Sequence, residues 1–190
     1  LKRKLSTLRV GNSLDKCIDV GAIVDKSQYD SVLEYIRFAK EEEGAEVFQA
    51  PLDSGVADTA NGLYIPPTLV TGVNSTSKLV VEEIFGPVLT VQSFRSHNEA
   101  VALANNTMFG LAGSVHTEHL GLALETAIRI KAGVIWINSH NMFDAAAGFG
   151  GYKESGFGRE GGKEGLQMYV RPSWQSRPRP TLTKEMTVSY

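Results

Sequence analysis

Residues 113–137, GSVHTEHLGLALETAIRIKAGVIWI, contain the pattern that decides the fold class. A strand-like run over 113–117 is followed by apolar residues at helical spacing, which predict a helix over 118–131 that stops at Gly133. The apolar stripe of this helix consists of Leu120, Ala123, Leu124, Ala127 and Ile128. The wholly apolar run 134–137 then predicts a fully buried strand. Strand, helix and apolar strand in this order are typical of a parallel sheet covered by helices.

The residues before this segment repeat the alternation of helices and strands. A helix is predicted to end at Gly44, and its buried stripe is Tyr29, Val32, Leu33, Ile36 and Ala39. Strands are predicted over 45–50, 64–71 and 88–94, with a helix-like stretch over 77–83. We therefore predict the α/β class, with a layered and mostly parallel sheet.

Two local signals refine this prediction. The pair Pro66-Pro67 lies inside the second predicted strand, and because proline cannot donate to a sheet ladder, it predicts an edge position for that strand. Ser96 and Glu99 have the capping-box spacing, which predicts a helix from there to about Asn105.

Composition limits the classes of function. The chain has 190 residues, of which 42% are apolar, and this suffices for one large domain. Its 19 basic and 21 acidic residues lack the positive balance of a nucleic-acid-binding protein. No apolar run approaches the roughly 20 residues that cross a bilayer. Because Cys17 is the single cysteine, a reducing compartment is favoured, so we expect a cytoplasmic protein without membrane or nucleic-acid partners.

Three chemical motifs favour an ordinary structural interpretation. Residues 156–161 match the glycine pattern of dinucleotide-binding loops, but no strand leads directly into them and no βαβ unit follows, so a tight glycine turn is favoured. Cys17 has no histidine nearby in the sequence. His116 and His119 have a spacing that could serve a metal, yet no third ligand recurs at a useful distance. We predict no metal site.

The stretch 82–88, EEIFGPV, leaves two interpretations open. It can be a helix end that turns into a strand. Alternatively, a carboxylate close to an aromatic ring suits a ribose and a flat heterocycle. The residues by themselves do not favour either interpretation.

This heptapeptide resembles a signature of the NAD(P)-dependent aldehyde dehydrogenase superfamily. Further stretches look like landmarks of that family in the same order: 10–12, 64–70, 104–111, 133–138 and 149–160. Together they cover 9 to about 170 and look like the C-terminal part of the catalytic domain. Within the superfamily, the stretches 47–50, 153–156 and 169–173 look most similar to aldehyde dehydrogenase family sixteen.

The resemblance implies a mechanism in which a cysteine thiolate attacks an aldehyde, hydride passes to the nicotinamide of NAD or NADP, and a glutamate assists hydrolysis of the thioester. In the family, both of these groups precede the region that this chain resembles. We therefore expect no catalytic residue in the chain, which would act as a fragment forming one wall of the site.

The resemblance also implies cofactor contacts. Glu83 should accept hydrogen bonds from the nicotinamide-ribose hydroxyls, and Phe85 should pack beside that end of the cofactor. Gln28 matches a position that contacts the ribose region. Ser31 stands where the family often has a lysine, so that part of the cofactor contact is expected to differ.

Further positions are implied for the aldehyde tunnel. Phe143 and Phe149 match positions that line it, and Asn141 lies between the same landmarks. Glu160 is expected either to take part in a proton path or to form a salt bridge with Arg159. Gly148 and Ala22 each replace a proline usual in the family, which should change loop rigidity.

For the organisation of the chain, we expect a partial catalytic domain over 1–168, an edge strand for homo-oligomer formation over 169–176, and a proline-rich linker or tail over 177–190. The expected partners are an aldehyde and further copies of the same chain. A non-catalytic scaffold or interaction protein remains the alternative function, because the proline-rich tail is also compatible with a larger assembly.

Overall fold

In the computed structural model, residues 1–52 and 62–171 are described, and they fall into two compact units. Unit 1 comprises Leu1–Met108 and unit 2 comprises Phe109–Tyr190. Within the described ranges, none of the helices combines the length and the apolar character that a membrane span requires.

Unit 1 contains four helices and three strands in its described part: α1 (Lys2–Leu5), α2 (Lys26–Glu41), β1 (Glu46–Gln49), β2 (Thr68–Thr71), α3 (Lys78–Val81), β3 (Val88–Val91) and α4 (His97–Asn105). The long helix α2 starts at Asp25, whose carboxylate accepts the backbone N–H of Gln28 at 2.8 Å. The predicted helix is confirmed. Of its predicted buried stripe, Leu33 is 37% exposed.

The sheet of unit 1 has the order β1-β2-β3, in which β2 pairs antiparallel with β1 and parallel with β3. The predicted edge position of the second strand was wrong, because β2 is central. Both prolines precede Thr68, the first residue of β2, so their missing N–H groups remove nothing from the ladder. The carbonyl of Pro67 instead accepts the N–H of Ala50 at 2.9 Å.

The core of unit 1 lies between α2 and this sheet. Its buried members are Val32, Ile36, Ala39, Ile65, Val70, Leu79 and Ile84. Burial of each large aliphatic side chain stabilises the fold by about 1.5–3 kcal/mol. Ile84 belongs to this core and also to the signature heptapeptide, so the core fixes one point of that stretch.

The capping-box prediction at α4 is confirmed in its main part. The Ser96 hydroxyl accepts the N–H of Glu99 at 3.2 Å, and the helix ends at Asn105. The Glu99 carboxylate, however, accepts the N–H of Arg95 at 2.7 Å, one residue before the cap.

Unit 2 contains four strands and two helices in its described part: β4 (Phe109–Gly110), β5 (Ala112–Val115), α5 (Leu120–Arg129), β6 (Val134–Ile137), β7 (Tyr152–Lys153) and α6 (Gly162–Gln167). Strands β5 and β6 pair in parallel and are connected by α5, as predicted, while β4 and β7 pair antiparallel. The α/β class is therefore confirmed, with parallel and mixed sheets.

Two predictions about β6 and its approach need correction. All four residues of β6 are half-buried rather than fully buried, because the sheet that it forms with β5 has two strands within the part of the chain that the structure describes. Helix α5 already ends at Arg129, and Ile130 is extended, so Gly133 does not terminate it. A Cβ at Gly133 would lie 1.6 Å from the carbonyl oxygen of Gly150, so close backbone packing is what requires glycine there.

The predicted apolar stripe of α5 is only partly covered. Ala123 is buried, whereas Leu120, Leu124 and Ile128 are 71%, 49% and 84% exposed. The predicted edge strand over 169–176 begins in the described residues with a turn at Tyr169, and 172–176 lie outside them, as does the predicted linker over 177–190.

Candidate functional site

The signature stretch contains the connection between α3 and β3 in unit 1, and we call its residues 82–86 the 82–86 loop. Glu82 follows α3 with extended backbone angles, φ −98° and ψ 164°. Glu83 is exposed, and Phe85 is 73% exposed. Phe85 also has a φ of +54°, a left-handed conformation that costs a non-glycine residue about 1–3 kcal/mol. The loop therefore presents a carboxylate and a ring to solvent on a strained backbone.

One face of α2 contacts this loop at three points. The Gln28 amide nitrogen donates to the carbonyl oxygens of Ile84 at 2.9 Å and Phe85 at 3.2 Å. One turn further along, Val32 packs against Gly86 so closely that an added Cβ would lie 2.6 Å from Val32 Cγ2.

The third contact is made by Tyr35, whose hydroxyl donates to Glu82 Oε2 at 2.7 Å. This hydrogen bond, together with partial burial and the charges of Glu82 and Glu34, raises the pKa of Tyr35 above its usual value of 10.0. The phenol therefore keeps its proton at neutral pH and remains a donor. The Lys78 ammonium lies over the same ring, 5.4 Å from its centroid.

The Glu83 carboxylate differs from that of Glu82. Within 1–52 and 62–171, no side chain or backbone group donates a hydrogen bond to it. An ionised carboxylate accepts hydrogen bonds and donates none, so Glu83 can take two hydroxyls from a ligand.

In unit 2, a row of aromatic side chains begins in β6 and continues into the loop after it. We call His140, Trp136, Phe143 and Phe149 the aromatic row. Its neighbours meet edge to face, with ring centroids 5.2 Å apart for Trp136 and His140, 5.8 Å for Trp136 and Phe143, and 5.0 Å for Phe143 and Phe149. Phe143 is 63% exposed, so the row has an accessible apolar side.

Polar contacts fix the loop that carries this row. Trp136 Nε1 donates to the carbonyl oxygen of Met142 at 2.8 Å, and Ser114 Oγ lies 2.7 Å from His140 Nδ1. Asn138 binds the backbone N–H and carbonyl of Thr117, both at 2.9 Å.

Phe149 connects the aromatic row to Glu160. Their backbones exchange two hydrogen bonds of 2.7 Å, and both residues line a cavity of about 320 Å³ together with Leu111, Phe157 and Tyr169. Arg159 directs its guanidinium to the carbonyl oxygens of Gly151 and Gly158, both at 2.8 Å, rather than to the Glu160 carboxylate.

Comparison with known proteins decides the family. The model of the aldehyde dehydrogenase family matches residues 1–174. The chain belongs to the aldehyde dehydrogenase family.

Individual relatives agree with this assignment. Aldehyde dehydrogenase [NAD(P)+] 1 of Saccharomyces cerevisiae is 44% identical over 160 residues, which are 83% of this chain and 30% of that protein. An aldehyde dehydrogenase of Emericella nidulans is 39% identical over 170 residues, which are 90% of this chain and 33% of that protein.

Among solved structures, betaine aldehyde dehydrogenase from Staphylococcus aureus in complex with NAD+ is similar, with a TM-score of 0.80 and 36% identity over 89% of this chain and 33% of that one. The chain thus spans about a third of the length of the relatives that it matches.

For this aldehyde dehydrogenase chain, the structure brings together the residues that the sequence singled out for the cofactor. Gln28, Glu83 and Phe85 all meet at the 82–86 loop. Gln28, however, uses its amide donors on the backbone of the loop. Ser31 lies apart from these contacts, in a small cavity of about 130 Å³ with Glu34, Tyr35 and Lys78.

The residues singled out for the aldehyde are also brought together in part. Phe143 and Phe149 are in direct ring contact. Asn141 lies in the same loop with a φ of +58°, so its visible contribution is to the turn of the backbone. The alternative of a salt bridge between Glu160 and Arg159 was wrong, because Arg159 binds backbone carbonyls and stacks 4.8 Å over the Tyr152 ring.

The glycines of the 156–161 segment serve the backbone: the segment is irregular apart from a bridge at Glu160, and Gly156 and Gly161 have φ values of +96° and +70°. Within the described residues, His116 and His119 belong to no group of three or more potential metal ligands. Cys17 is exposed, and its N–H binds the Asp15 side chain at 2.8 Å.

Sequence reasoning missed three residues of the candidate site: Tyr35, Trp136 and His140. Tyr35 stands seven positions after Gln28 on α2, so helical periodicity would have placed both on one face. Trp136 was assigned to a buried strand, and its ring contacts depend on the turn after β6, for which the sequence gives no comparable signal.

Proposed function

We propose that this chain is part of an NAD(P)-dependent aldehyde dehydrogenase that oxidises an aldehyde to a carboxylic acid, and that it contributes the nicotinamide-ribose clamp and a wall of the aldehyde tunnel. The main support is the 82–86 loop, which combines an exposed acceptor carboxylate with an exposed ring on a backbone that α2 holds. The yeast relative is named for NAD(P)+, and the Staphylococcus aureus structure contains NAD+.

The residues present fit such a cofactor. Glu83 offers two acceptor oxygens for adjacent ribose hydroxyls, and the exposed ring of Phe85 offers an apolar surface for the neighbouring nicotinamide. When bound, the nicotinamide would accept the hydride from the substrate. The residues of this chain would orient the ribose and exclude water beside it.

The aromatic row supports a tunnel wall. The adjoining rings of Phe143 and Phe149 present apolar surface, which favours aldehydes with an apolar chain over charged ones. Asn141 would shape the turn that carries Phe143. We also propose that Glu160 takes part in a proton path, since it lines the cavity that Phe149 reaches.

The broader assignment follows from the same resemblance. We propose that the chain is the C-terminal part of a catalytic domain of aldehyde dehydrogenase family sixteen, with 1–168 in that domain, 169–176 as an oligomerisation strand and 177–190 as a linker. The catalytic thiolate and general base would come from residues outside this sequence. A cytoplasmic homo-oligomer is the proposed form.

The test measures NAD+ binding and aldehyde-dependent NADH formation in the complete natural protein. Glu83→Gln removes the charge of the clamp and should weaken NAD+ binding roughly tenfold, with little change in the aldehyde KM. Glu42→Gln makes the same chemical change at another exposed position of unit 1 and should have no effect.

Two results would contradict the proposal at different points. Unchanged NAD+ affinity in Glu83→Gln would exclude the clamp. A natural protein that neither binds NAD+ nor forms NADH would exclude the enzyme and favour the scaffold alternative.

A further inference from the structure

The role of Gln28 can be taken further than a cofactor contact. We propose that Gln28 and Tyr35 are positioning residues that hold the 82–86 loop from its two ends, so that Glu83 and Phe85 face the cofactor. This inference rests on the proposed function and assigns the residues that make the clamp rigid.

Both amide donors of Gln28 are used by the loop. A side-chain amide has two N–H donors, and the Gln28 nitrogen contacts two carbonyl oxygens, those of Ile84 and Phe85. These two contacts use its donor capacity, and its Oε1 atom remains an acceptor. The helical position of Gln28 is itself fixed, because its backbone N–H binds the Asp25 cap at 2.8 Å.

The direction of the Glu83 side chain follows from that of Glu82. In extended backbone, successive side chains point to opposite sides. Glu82 is extended, and its carboxylate points to α2, where Tyr35 donates to it at 2.7 Å. The next carboxylate, Glu83, is consequently directed away from the helix and is exposed. Tyr35 thus controls Glu83 by holding its neighbour.

The backbone after Glu83 is held in a left-handed conformation. Phe85 has a φ of +54°, which an ordinary residue avoids unless its surroundings hold it. Its carbonyl accepts from Gln28, and Gly86 immediately behind it packs on buried Val32. The anchors at Gln28 and Tyr35 are about two turns apart on a single helix, roughly 10 Å along its axis. Glu83 stands between the loop residues that these anchors hold, so both anchors restrict its backbone.

The experiment uses three variants of the complete natural protein. Gln28→Met keeps the length of the side chain without its donors, and Tyr35→Phe keeps the ring without its hydroxyl. Tyr29→Phe is the matched control, because Tyr29 lies on the same helix and its hydroxyl has no hydrogen bond within the described residues. Each protein is examined by amide hydrogen exchange over 82–86 without cofactor, by NAD+ titration and by its aldehyde KM.

Gln28→Met and Tyr35→Phe should each speed exchange in the 82–86 loop by about tenfold and weaken NAD+ binding by about fivefold, while the aldehyde KM stays unchanged. The control should match the natural protein in all three measurements. Exchange that does not change, in a protein that binds NAD+, would overturn the positioning role and leave the proposed function intact.

A double-mutant cycle separates positioning from direct binding. If Gln28 acts through the loop that carries Glu83, Gln28→Met should weaken NAD+ binding less in a Glu83→Ala background than in the natural protein, because only the positioning of Phe85 is then left to lose. Fully additive losses would show that Gln28 acts independently of Glu83 and would overturn the proposal. Failure of the natural protein to bind NAD+ would instead reject the proposed function together with the role of the loop.

Discussion

The 82–86 loop of unit 1 and the aromatic row of unit 2 are held in different ways. Gln28 and Tyr35 fix the loop through three hydrogen bonds from one helix, and Val32 packs against it. The aromatic row is held mainly by ring edges, with an indole hydrogen bond from Trp136 and a hydrogen bond between His140 and Ser114.

These two kinds of support predict different responses to substitution. Hydrogen bonds depend on direction and distance, so they define one loop conformation and suit a cofactor whose hydroxyls have fixed positions. Ring contacts depend on shape and volume, so they tolerate replacement by other apolar side chains. We therefore expect the loop to be sensitive to isosteric polar changes and the row to be sensitive mainly to volume.

The largest expected effect comes from Gly133, whose close contact with the backbone of Gly150 lies next to the aromatic row. Gly133→Ala would place a Cβ 1.6 Å from the backbone oxygen of Gly150, next to Phe149, so the chain there must move. We expect the free energy of unfolding, measured in urea, to fall by about 3 kcal/mol. Gly121→Ala, in α5 and with no heavy atom within 4 Å, should instead stabilise the protein by about 1 kcal/mol. Equal stability of the two variants would disprove the close packing.

A smaller effect is expected at Trp136, where ring contact and hydrogen bonding can be tested separately. Trp136→Phe keeps a ring in the aromatic row but removes the donor to Met142, which is 70% exposed, so water can replace it. The expected loss of stability is about 1 kcal/mol, and the aldehyde KM should change less than fivefold. Phe157→Leu, at a ring that is 94% exposed, should change stability by less than about 0.5 kcal/mol. A Trp136→Phe loss several times larger would mean that the hydrogen bond, not the ring, holds the row.

The smallest expected effect is a pH dependence at the polar anchor. The pKa of Tyr35 is raised in the folded protein, so its hydrogen bond to Glu82 contributes stability below pH 10, and this contribution is lost as pH rises through the folded pKa. The natural protein should exceed Tyr35→Phe in stability by roughly 0.5 kcal/mol at pH 8, and the difference should shrink above pH 10. A difference that stays constant from pH 8 to 11 would argue against the raised pKa.

Much of the fold could be predicted from periodicity. Most of the buried stripe of α2, the strand-helix-strand unit over 113–137 and the Ser96 cap appear in the structure, because each depends on residues close in sequence. The errors concern neighbours far apart in sequence. Pro66-Pro67 did not reveal that β2 is central, and Gly133 did not reveal that Gly150 packs on it, because both facts depend on tertiary contacts.

The candidate site followed the same rule. Glu83 and Phe85 could be singled out because they stand in one contiguous motif. The hydrogen bond from Tyr35 to Glu82 joins residues 47 positions apart, and that from Gln28 to Ile84 joins residues 56 positions apart. A sequence shows which groups can donate, but only the fold shows which acceptor each donor meets.

The left-handed backbone of Phe85 has a consequence for how this position can vary. Glycine or asparagine would fit a φ of +54° more easily than phenylalanine does. Neither would supply an apolar ring, so at residue 85 conformational fit and ligand chemistry make opposite demands. Screens that select only for heat resistance should enrich replacements at this position, whereas screens that select for turnover should remove them.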